Sequence, residues 1–435
     1  MELVPGQCVD SREKKIFNHA KYLMPGSVIV ISTYSFPGGS AASLRMFNMV
    51  EGILATGKIV HVIASFFRPS RRSITDVKSK SNLKEHYLFS EPTAPRLYND
   101  ILFKKKVSTR LHQLVHKIVD THKVELVYIY EGTSYFYFSK VTGYLQKNKI
   151  PLTFDVTEFR DNYYSVRNSE ARKGIPLKQK FSNILLYPDY LLGKRAILSR
   201  ATFFISISTC LREFLSHYKK DVLLIPGFEK FADPKAKEEN DPRIKFLYVG
   251  SLIHRDAPEI LEKLIAHLAG YNGAVQLNLI GRYDRLRKTK SMVEHWKEAY
   301  GELVQSLGEI EESLIEKEMQ DCDVLVLPRK DSYEERCAFP TRLAEYLALK
   351  KPVVISPIGD IPHYLKDSVD ACFLELDDTK RLTQKSLEQV ARLISDADFR
   401  KFIGTNGYIA GSLQFDQHIN AQAILERAAQ NRISN

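Results

Sequence analysis

The feature that most constrains the fold is a repeated alternation of short apolar runs with amphipathic stretches. Apolar runs such as SVIVIS (27–32) and IVHVIA (59–64) have the length of strands buried on both faces. The stretches between them have helical spacing. Strands that alternate with helices predict an α/β protein built from doubly wound parallel sheets.

The alternation is interrupted once, by a polar segment with two prolines at 229–243 (EKFADPKAKEENDPR). We interpret this segment as a linker between an N-terminal domain at 1–228 and a C-terminal domain at 244–412. A final helix at 413–435 is predicted to pack back towards the first domain. Ligands of open parallel sheets bind beyond the carboxyl ends of the strands, so two facing domains of this type form a cleft.

The periodicity also places the individual elements. Strands are predicted at 27–32, 59–64, 126–130, 152–156, 201–206 and 222–226, and after the linker at 246–249, 275–280, 324–327 and 352–356. Helices are predicted at 41–55, 209–218, 257–268, 314–319 and 341–349, followed by a helical region at 386–430.

Charge is distributed unevenly between the two halves. The chain carries a formal net charge of +11, but residues 1–240 sum to +15 and residues 241–435 to −4. Such asymmetry indicates an anionic partner for the first half: a membrane surface, a nucleic acid or a phosphorylated substrate. No nucleic-acid-binding motif accompanies the basic residues, which argues against the second of these.

The sequence shows no pattern typical of a spanning helix, a secretory signal or a paired-cysteine motif. No apolar run has the roughly 18 residues of a spanning helix, and the first 15 residues lack the apolar core of a secretory signal. The five cysteines are scattered, with none at CxxC spacing, so we expect neither a zinc site nor a disulfide framework. We therefore expect a reduced, cytoplasmic protein.

The strongest local signal is the segment CAFPTRLAEYLALKKPVVIS (337–356). Pro340 suits the first position of a helix, and free N–H groups at a helix start can bind a phosphate. Thr341 and Glu345 are four residues apart and share one helix face, so a hydroxyl followed by a carboxylate could meet a diphosphate and then a ribose diol. The alternative is a capped core helix with a solvated Glu345.

This segment resembles the variant E-x7-E motif of glycosyltransferase family 4, the retaining nucleotide-sugar enzymes of the GT-B fold, in which two Rossmann-like domains face across a cleft. Further segments are similar to that family in the same order, at 37–63, 205–228, 246–252, 277–282, 306–330 and 400–415. The resemblance covers about 27–64 and 200–430. It implies an enzyme, a hexosyltransferase that uses a nucleoside-diphosphate sugar such as a UDP-sugar and needs no cofactor or metal. It also implies that the N-terminal domain binds the acceptor and that the C-terminal domain binds the nucleotide sugar.

The resemblance also assigns the donor-binding residues. They are Gly38, Gly39, Ser40, Gly308, Glu309, Ile310, Phe339, Pro340, Thr341 and Glu345. Glu345 would hold the ribose hydroxyls and the loop at 308–310 would read the base. The glycine loop would approach the donor phosphate and the acceptor, since glycines let backbone come close to a ligand.

Two positions depart from the family pattern. Cys337 stands where the family has the first motif glutamate, and Ser251 stands where it has an arginine. The donor diphosphate still needs cations, for which the candidates in order of preference are Arg255, Lys330 and Arg329, with Arg282 also available. These departures leave open a catalytically degenerate GT-B protein that acts as a partner or chaperone of another transferase.

Acidic residues follow the mid-domain strand 152–156 where many relatives have a histidine. Asp155, Glu158 and Asp161 stand there, and Glu158 is our candidate for a contact with the acceptor or the transferred sugar. Glu131 is a weaker candidate of the same kind. The alternative for Glu158 is a structural role, as a helix cap or a partner for Arg160. Together with Arg255 and Lys330, Glu158 completes the predicted catalytic set.

A basic, partly apolar segment at 180–195 (KFSNILLYPDYLLGKR) has the composition of an interfacial helix. We predict peripheral association with an anionic inner membrane leaflet, which would present a lipid-linked acceptor; the alternative is a core helix at 183–193 under a basic surface. The predicted function is transfer of a sugar to a glycan or lipid-linked acceptor in cell-surface polysaccharide assembly.

Asp321 and Asp323 form a DxD sequence, which is a possible metal-binding pattern. They immediately precede a core strand, so we expect no metal there.

Overall fold

The structure is a computed structural model that describes residues 25–38, 40–68, 74, 77–89, 101–132, 134–158, 177–234, 241–252, 255–271, 273–283 and 287–433, with the side chains of 101–102, 177–186 and 433 left out. The candidates Gly39 and Asp161 lie outside the described residues. So do Arg160 and much of the basic stretch before Lys78.

The first domain is built on seven parallel strands. They are β1 (Ser27–Ser32), β3 (Ile59–Ala64), β5 (Leu83–Tyr87), β6 (Val124–Tyr130), β7 (Leu152–Val156), β8 (Phe203–Ser206) and β9 (Val222–Leu224), in the spatial order β5–β3–β1–β6–β7–β8–β9. A separate parallel pair is formed by β2 (Phe36–Pro37) and β4 (Phe67–Arg68). The helices are α1 (Ala41–Ala55), α2 (Val77–Asn82), α3 (Ile101–Thr121), α4 (Tyr135–Lys147), α5 (Leu177–Ala196) and α6 (Thr209–Ser216).

The second domain is built on six parallel strands. They are β10 (Ile244–Val249), β11 (Val275–Ile280), β12 (Val304–Gly308), β13 (Val324–Leu327), β14 (Val353–Ile355) and β15 (Cys372–Phe373), in the order β12–β11–β10–β13–β14–β15. Its helices are α7 (Pro258–Leu268), α8 (Arg287–Tyr300), α9 (Glu312–Asp321), α10 (Tyr333–Arg336), α11 (Thr341–Ala348), α12 (Ile361–Tyr364), α13 (Gln384–Ser395) and α14 (Ala397–Phe415). The helix α15 (Gln417–Ile433) ends the described chain.

Burial explains why the apolar runs are strands. All six residues of β1 and all six of β11 are buried, because helices cover both faces of each sheet. Such strands lose the alternation of half-exposed strands and become continuous apolar runs. The prediction of two doubly wound α/β domains facing across a cleft is confirmed.

The chain passes between the domains twice, side by side. Glu229 in the first crossing donates its N–H to the carbonyl of Phe415 at 2.8 Å and accepts from the N–H of Gln417 at 2.8 Å. After the second crossing, α15 packs on α1, where Ala421 and Ile424 are fully buried. The approach is close, since a Cβ at Gly52 would overlap the carbonyl of Gln417.

The absence of disulfides was wrongly predicted. Cys210 and Cys337 form a disulfide between the two domains, with Cα atoms 5.0 Å apart. The two residues are 127 positions apart, so no local spacing signals the pair. Among the described cysteines, Cys322 and Cys372 are buried and take no part in a disulfide.

Several elements were missed by the periodicity. β12 forms an edge of the second sheet and is only partly buried, so its sequence VQSLG lacks an apolar run. β5, at the edge of the first sheet, contains no buried residue. Edge strands need fewer apolar side chains, because one long side of the strand faces no neighbour. The helical region predicted at 386–430 consists of α13, α14 and α15.

Candidate functional site

The carboxyl ends of both sheets meet at a cleft that holds two adjoining cavities. The smaller cavity has a volume of about 570 Å³ and the larger one about 900 Å³. Both are lined by Ala41 of the first domain and by Gly250, Ser251, Thr341 and Arg342 of the second. The shared lining makes them one continuous site between the domains.

The start of α11 faces both cavities. Pro340 is the N-cap, with extended backbone and no side-chain hydrogen bond to the helix, and Thr341 is the first helical residue. An uncapped first turn leaves backbone N–H groups available to an anion, and the helix dipole favours negative charge there. One turn later, Glu345 lines the larger cavity although its side chain is only 8% exposed.

The glycine loop of the first domain lies opposite α11. Gly38 and Ser40 line the larger cavity, and the Ser40 hydroxyl caps α1 by accepting from the N–H of Ser43 at 3.1 Å. Gly38 is held in place, because its N–H donates to the carbonyl of Arg68 and its carbonyl accepts from Ser35 Oγ at 2.7 Å. This part of the predicted donor site is thus a fixed loop.

Most of the other predicted donor residues line one of the two cavities, whereas Gly308 forms the turn that precedes Glu309. Glu309 and Ile310 line the larger cavity, and Phe339, Pro340 and Thr341 line the smaller one. Gly308 shapes the turn before Glu309 with a φ of +67°, a left-handed conformation that glycine adopts without steric cost. Its carbonyl accepts from the N–H of Gly281 at 2.9 Å.

Two of the three predicted catalytic residues meet across the cleft. Arg255 Nη2 of the second domain donates to Glu158 Oε1 of the first at 3.0 Å, and both line the smaller cavity. Arg255 Nε also lies 3.4 Å from Glu335 Oε1. Lys330 is not part of this group, since its side chain is exposed and lies outside the lining of both cavities.

A second arginine completes a charge network beneath the cavity. Arg329 pairs with Glu335 and lies 3.5 Å from Asp256 Oδ1 through Nη1. Burial raises the pKa of Glu335, although the two arginines oppose that shift. Asp256 Oδ2 accepts the N–H of Leu252 at 3.0 Å and thereby shapes the loop after β10. The pairs hold the arginine side chains towards the cleft.

Glu131 was only a weak candidate in the sequence, but the structure places it in the lining of the smaller cavity. It is 7% exposed and has a φ of +53°, which costs a non-glycine residue free energy. Tyr34 donates its hydroxyl to Glu131 Oε2 at 2.9 Å, and Thr157 donates to Oε1. A strained residue whose carboxylate is fixed by two hydroxyls is typical of functional sites, so Glu131 joins Glu158 as a candidate.

Asp155 has a structural role. Its carboxylate accepts from Arg45 Nε at 2.8 Å and from Arg45 Nη2 at 3.1 Å, and both side chains are almost fully buried. Arg45 also donates to the carbonyls of Ile225 and Pro226, where the chain leaves the first domain. The pair therefore fixes α1 to the exit of that domain.

Arg342 is a cation that the sequence analysis did not single out. It follows Thr341, lines both cavities, and its Nη1 lies 3.6 Å from Glu345 Oε2. Burial acts to lower its pKa, but Glu345 and the nearby tyrosines and Asp256 outweigh that effect and raise it. The sequence did offer a signal for Arg342, because this basic residue stands between the two residues already assigned to the donor.

Arg282, the remaining candidate cation, pairs with Glu309 at 2.6 Å at the rim of the larger cavity.

Potential metal ligands occur in the first domain. His112 and His116 stand four residues apart on α3, a spacing that suits a metal and that the expectation of no metal overlooked. Within the described part of the chain, no three His, Cys, Asp or Glu residues are arranged to hold a metal ion. Asp323 of the DxD sequence lies just before β13, and its carboxylate accepts the N–H of Lys245 in the neighbouring strand β10 at 2.9 Å.

A comparison with protein families gives a match to the second domain. Residues 243–396 match the family model described as "Glycosyl transferases group 1". No curated protein sequence matches the chain. The match includes Arg255, Thr341 and Glu345.

Solved structures share the whole architecture. Sucrose-phosphate synthase from Thermosynechococcus elongatus aligns with a TM-score of 0.63 at 16% identity over 94% of this chain and 100% of that chain. HepE from Anabaena, in complex with UDP and glucose, aligns with a TM-score of 0.56 at 14% identity over 93% and 100%. WaaG, described as a glycosyltransferase involved in lipopolysaccharide biosynthesis, aligns with a TM-score of 0.57 at 14% identity over 92% and 98%. The fold is GT-B, and the family match supports a glycosyltransferase.

Proposed function

We propose that this protein is a retaining glycosyltransferase that moves a sugar from a nucleoside-diphosphate sugar to a glycan or lipid-linked acceptor. The observation that carries the proposal is the uncapped start of α11 facing the glycine loop across the cleft, with Glu345 one turn away. A helix start suits the diphosphate and a carboxylate suits the ribose diol. The UDP-bound structure of HepE supports a UDP-sugar as the donor.

In this proposal the cleft acts mainly by positioning and charge stabilisation. The leaving diphosphate would lie at the α11 start, near Arg342 and Arg255. Because Glu158 now pairs with Arg255, an entering diphosphate would compete for that cation and release the Glu158 carboxylate towards the acceptor. Departure and attack on the same face of the sugar would then retain the anomeric configuration, with the diphosphate itself helping to deprotonate the acceptor.

The acceptor would lie in the first domain, in the smaller cavity. Glu131, Glu158 and Thr157 line it with acceptor or donor atoms suited to sugar hydroxyls. The printed role of WaaG in lipopolysaccharide biosynthesis supports a cell-surface glycan as the product class.

The first test is thermal unfolding of the purified full chain with UDP, GDP, ADP, CMP and their sugars, without added metal. A ligand that binds only the folded state at 100 times its Kd adds about 2.7 kcal/mol of stability. We expect one base to raise the melting temperature, and UDP is the first choice. The shift would identify the donor for an assay of sugar transfer.

A panel without any shift would contradict the proposal. It would favour the partner or chaperone of another transferase, for which Ser251 and the engagement of Cys337 in a disulfide are the supporting observations. Pull-down of the tagged chain from cells that express it, with mass spectrometry to identify any transferase that co-purifies, would then be the next experiment.

We also propose that the first domain attaches to an anionic membrane surface at the inner face of the cell membrane. On α5, Leu191 and Leu192 are 43% and 48% exposed and are followed by the exposed Arg195. The neighbouring α3, joined to α5 by the Lys104–Asp189 pair, adds the exposed Lys105 and Lys106. Apolar side chains beside cations are typical of interfacial attachment. None of the helices in the described ranges is long and apolar enough to span a bilayer.

Sedimentation with vesicles tests this attachment. We expect binding to vesicles that contain anionic phospholipid, weakened by salt, and a loss of about tenfold in the variant Leu191→Ser/Leu192→Ser, because two apolar side chains no longer enter the interface. The control is Leu413→Ser on the second domain, where the leucine is 65% exposed; this variant should bind as the unmodified chain does. Absence of binding at low salt would refute the attachment.

A further inference from the structure

The start of α6 is tied to the second domain by a disulfide and by hydrogen bonds within one helical turn. Cys210 forms the disulfide with Cys337. Ser208 Oγ donates to the carbonyl of Cys337 at 2.6 Å, and the N–H of Thr209 donates to Asp360 Oδ2 at 2.6 Å. The disulfide is the one covalent bond in this group, so the strength of the junction depends on its redox state.

The bond acts directly on the donor side of the cleft. Cys337 is followed by Ala338, Phe339, Pro340 and Thr341, so three residues separate it from the first residue of α11. Phe339, Pro340 and Thr341 line the smaller cavity. A crosslink at Cys337 therefore fixes the segment that we assign to the donor against the first domain.

The two sulfurs differ in access. Cys337 is 2% exposed, whereas Cys210 is partly exposed and lines an open cavity of about 1000 Å³ together with Arg212, Asp331 and Asp360. Thiol–disulfide exchange needs a thiolate to reach one sulfur in line with the bond. The accessible sulfur is that of Cys210.

We propose that Cys210–Cys337 is a redox-exchangeable site that controls the mobility of the donor segment. A dithiol reductant attacks Cys210 Sγ through one thiolate, forms a mixed disulfide and releases Cys337 as a thiolate that takes up a proton. The second thiol of the reductant then attacks its own mixed-disulfide sulfur and releases Cys210. Two electrons pass from the dithiol, which becomes a disulfide, to the protein.

The two states differ in how the cleft can move. When oxidised, the start of α6 and the donor segment are one covalent unit, and relative movement of the domains at this point is restricted. When reduced, the Ser208 and Thr209 hydrogen bonds remain, and these can open and re-form. The consequence for transfer rests on the proposed function, but the change in mobility does not.

The first measurement is differential alkylation of the full chain after equilibration with oxidised or reduced dithiothreitol, followed by peptide mass spectrometry. We expect a peptide pair that joins Cys210 to Cys337 in the oxidised sample, and two additional alkylated cysteines in the reduced one. Cys322 and Cys372 should be alkylated in both samples after denaturation. Failure to find the linked peptides under oxidising conditions would overturn the proposal, as would a bond that dithiothreitol cannot reduce in the folded chain.

The second measurement is amide hydrogen exchange of the folded protein in the two redox states, with no nucleotide present. We expect protection in the peptide 338–348 to fall about tenfold on reduction, equal to about 1.4 kcal/mol of local opening free energy. Cys210→Ser and Cys337→Ser should exchange at the reduced rate in either buffer, and Cys322→Ser should keep the redox difference. Equal exchange in both states of the unmodified chain would refute control of the donor segment, whatever the nucleotide panel shows.

Discussion

Replacement of Glu345 by alanine is expected to weaken nucleotide binding by roughly 10- to 150-fold. The reason is the loss of hydrogen bonds between a carboxylate and the ribose diol, worth about 1.5–3 kcal/mol. Glu345 is held for this role, because it is buried on α11, opens into the larger cavity and has the guanidinium of Arg342 3.6 Å away. Calorimetric titration with the nucleotide found in the panel measures the effect.

The kinetic form of this prediction is a raised KM for the donor. A contact made equally in the ground state and the transition state changes KM and leaves kcat unchanged. Glu312→Ala is the matched control, since this exposed carboxylate lines the same cavity and is not assigned to the ribose. An unchanged donor KM in Glu345→Ala would remove the ribose assignment.

Replacement of Asp155 by asparagine is expected to lower the free energy of unfolding by about 3–5 kcal/mol, because it leaves Arg45 as a buried charge without its counter-ion. Side-chain exposure is 2% for Arg45 and 0% for Asp155. Burial acts to lower the pKa of Arg45, but the Asp155 carboxylate outweighs it and raises the pKa above its usual value. Urea denaturation followed by circular dichroism measures the loss.

Two further variants test whether the loss of stability comes from the buried, unpaired charge of Arg45 and not simply from the loss of an ion pair. Glu294→Gln breaks the exposed Lys290–Glu294 pair on α8 and should cost less than about 1 kcal/mol. The double variant Arg45→Met/Asp155→Leu removes both buried charges but also removes the partners of the Tyr128 hydroxyl and of the Ile225 and Pro226 carbonyls, so it should recover only part of the lost stability. If Asp155→Asn cost no more than Glu294→Gln, the buried pair would not be a principal support of the first domain.

Local patterns were sufficient for the core of each domain. The strands at 27–32, 59–64, 152–156, 275–280 and 324–327 were predicted with the bounds that the structure has. They are buried on both faces, so burial alone dictates their composition. Edge strands such as β12 escaped prediction, because their side chains are partly exposed and carry no such signature.

Parts of the site were also visible in the sequence. A proline before Thr341 and a carboxylate one turn later predicted a helix start with two functional groups on one face, and both line the cleft. Glu158 and Arg255 were chosen separately, from different domains, and the structure places them 3.0 Å apart. Lys330 was chosen on the same grounds as Arg255, but its side chain is exposed and outside the two cavities.

The sequence alone determined the two α/β layers of strands and helices and the segments that face the cleft, because these depend on periodicity and on the chemistry of neighbouring residues. The tertiary structure decided which distant residues meet: Cys210 with Cys337, Arg45 with Asp155, and Glu131 with Tyr34 and Thr157. Such pairs join residues 26 to 127 positions apart. Their energies depend on distance and burial, which no local pattern encodes.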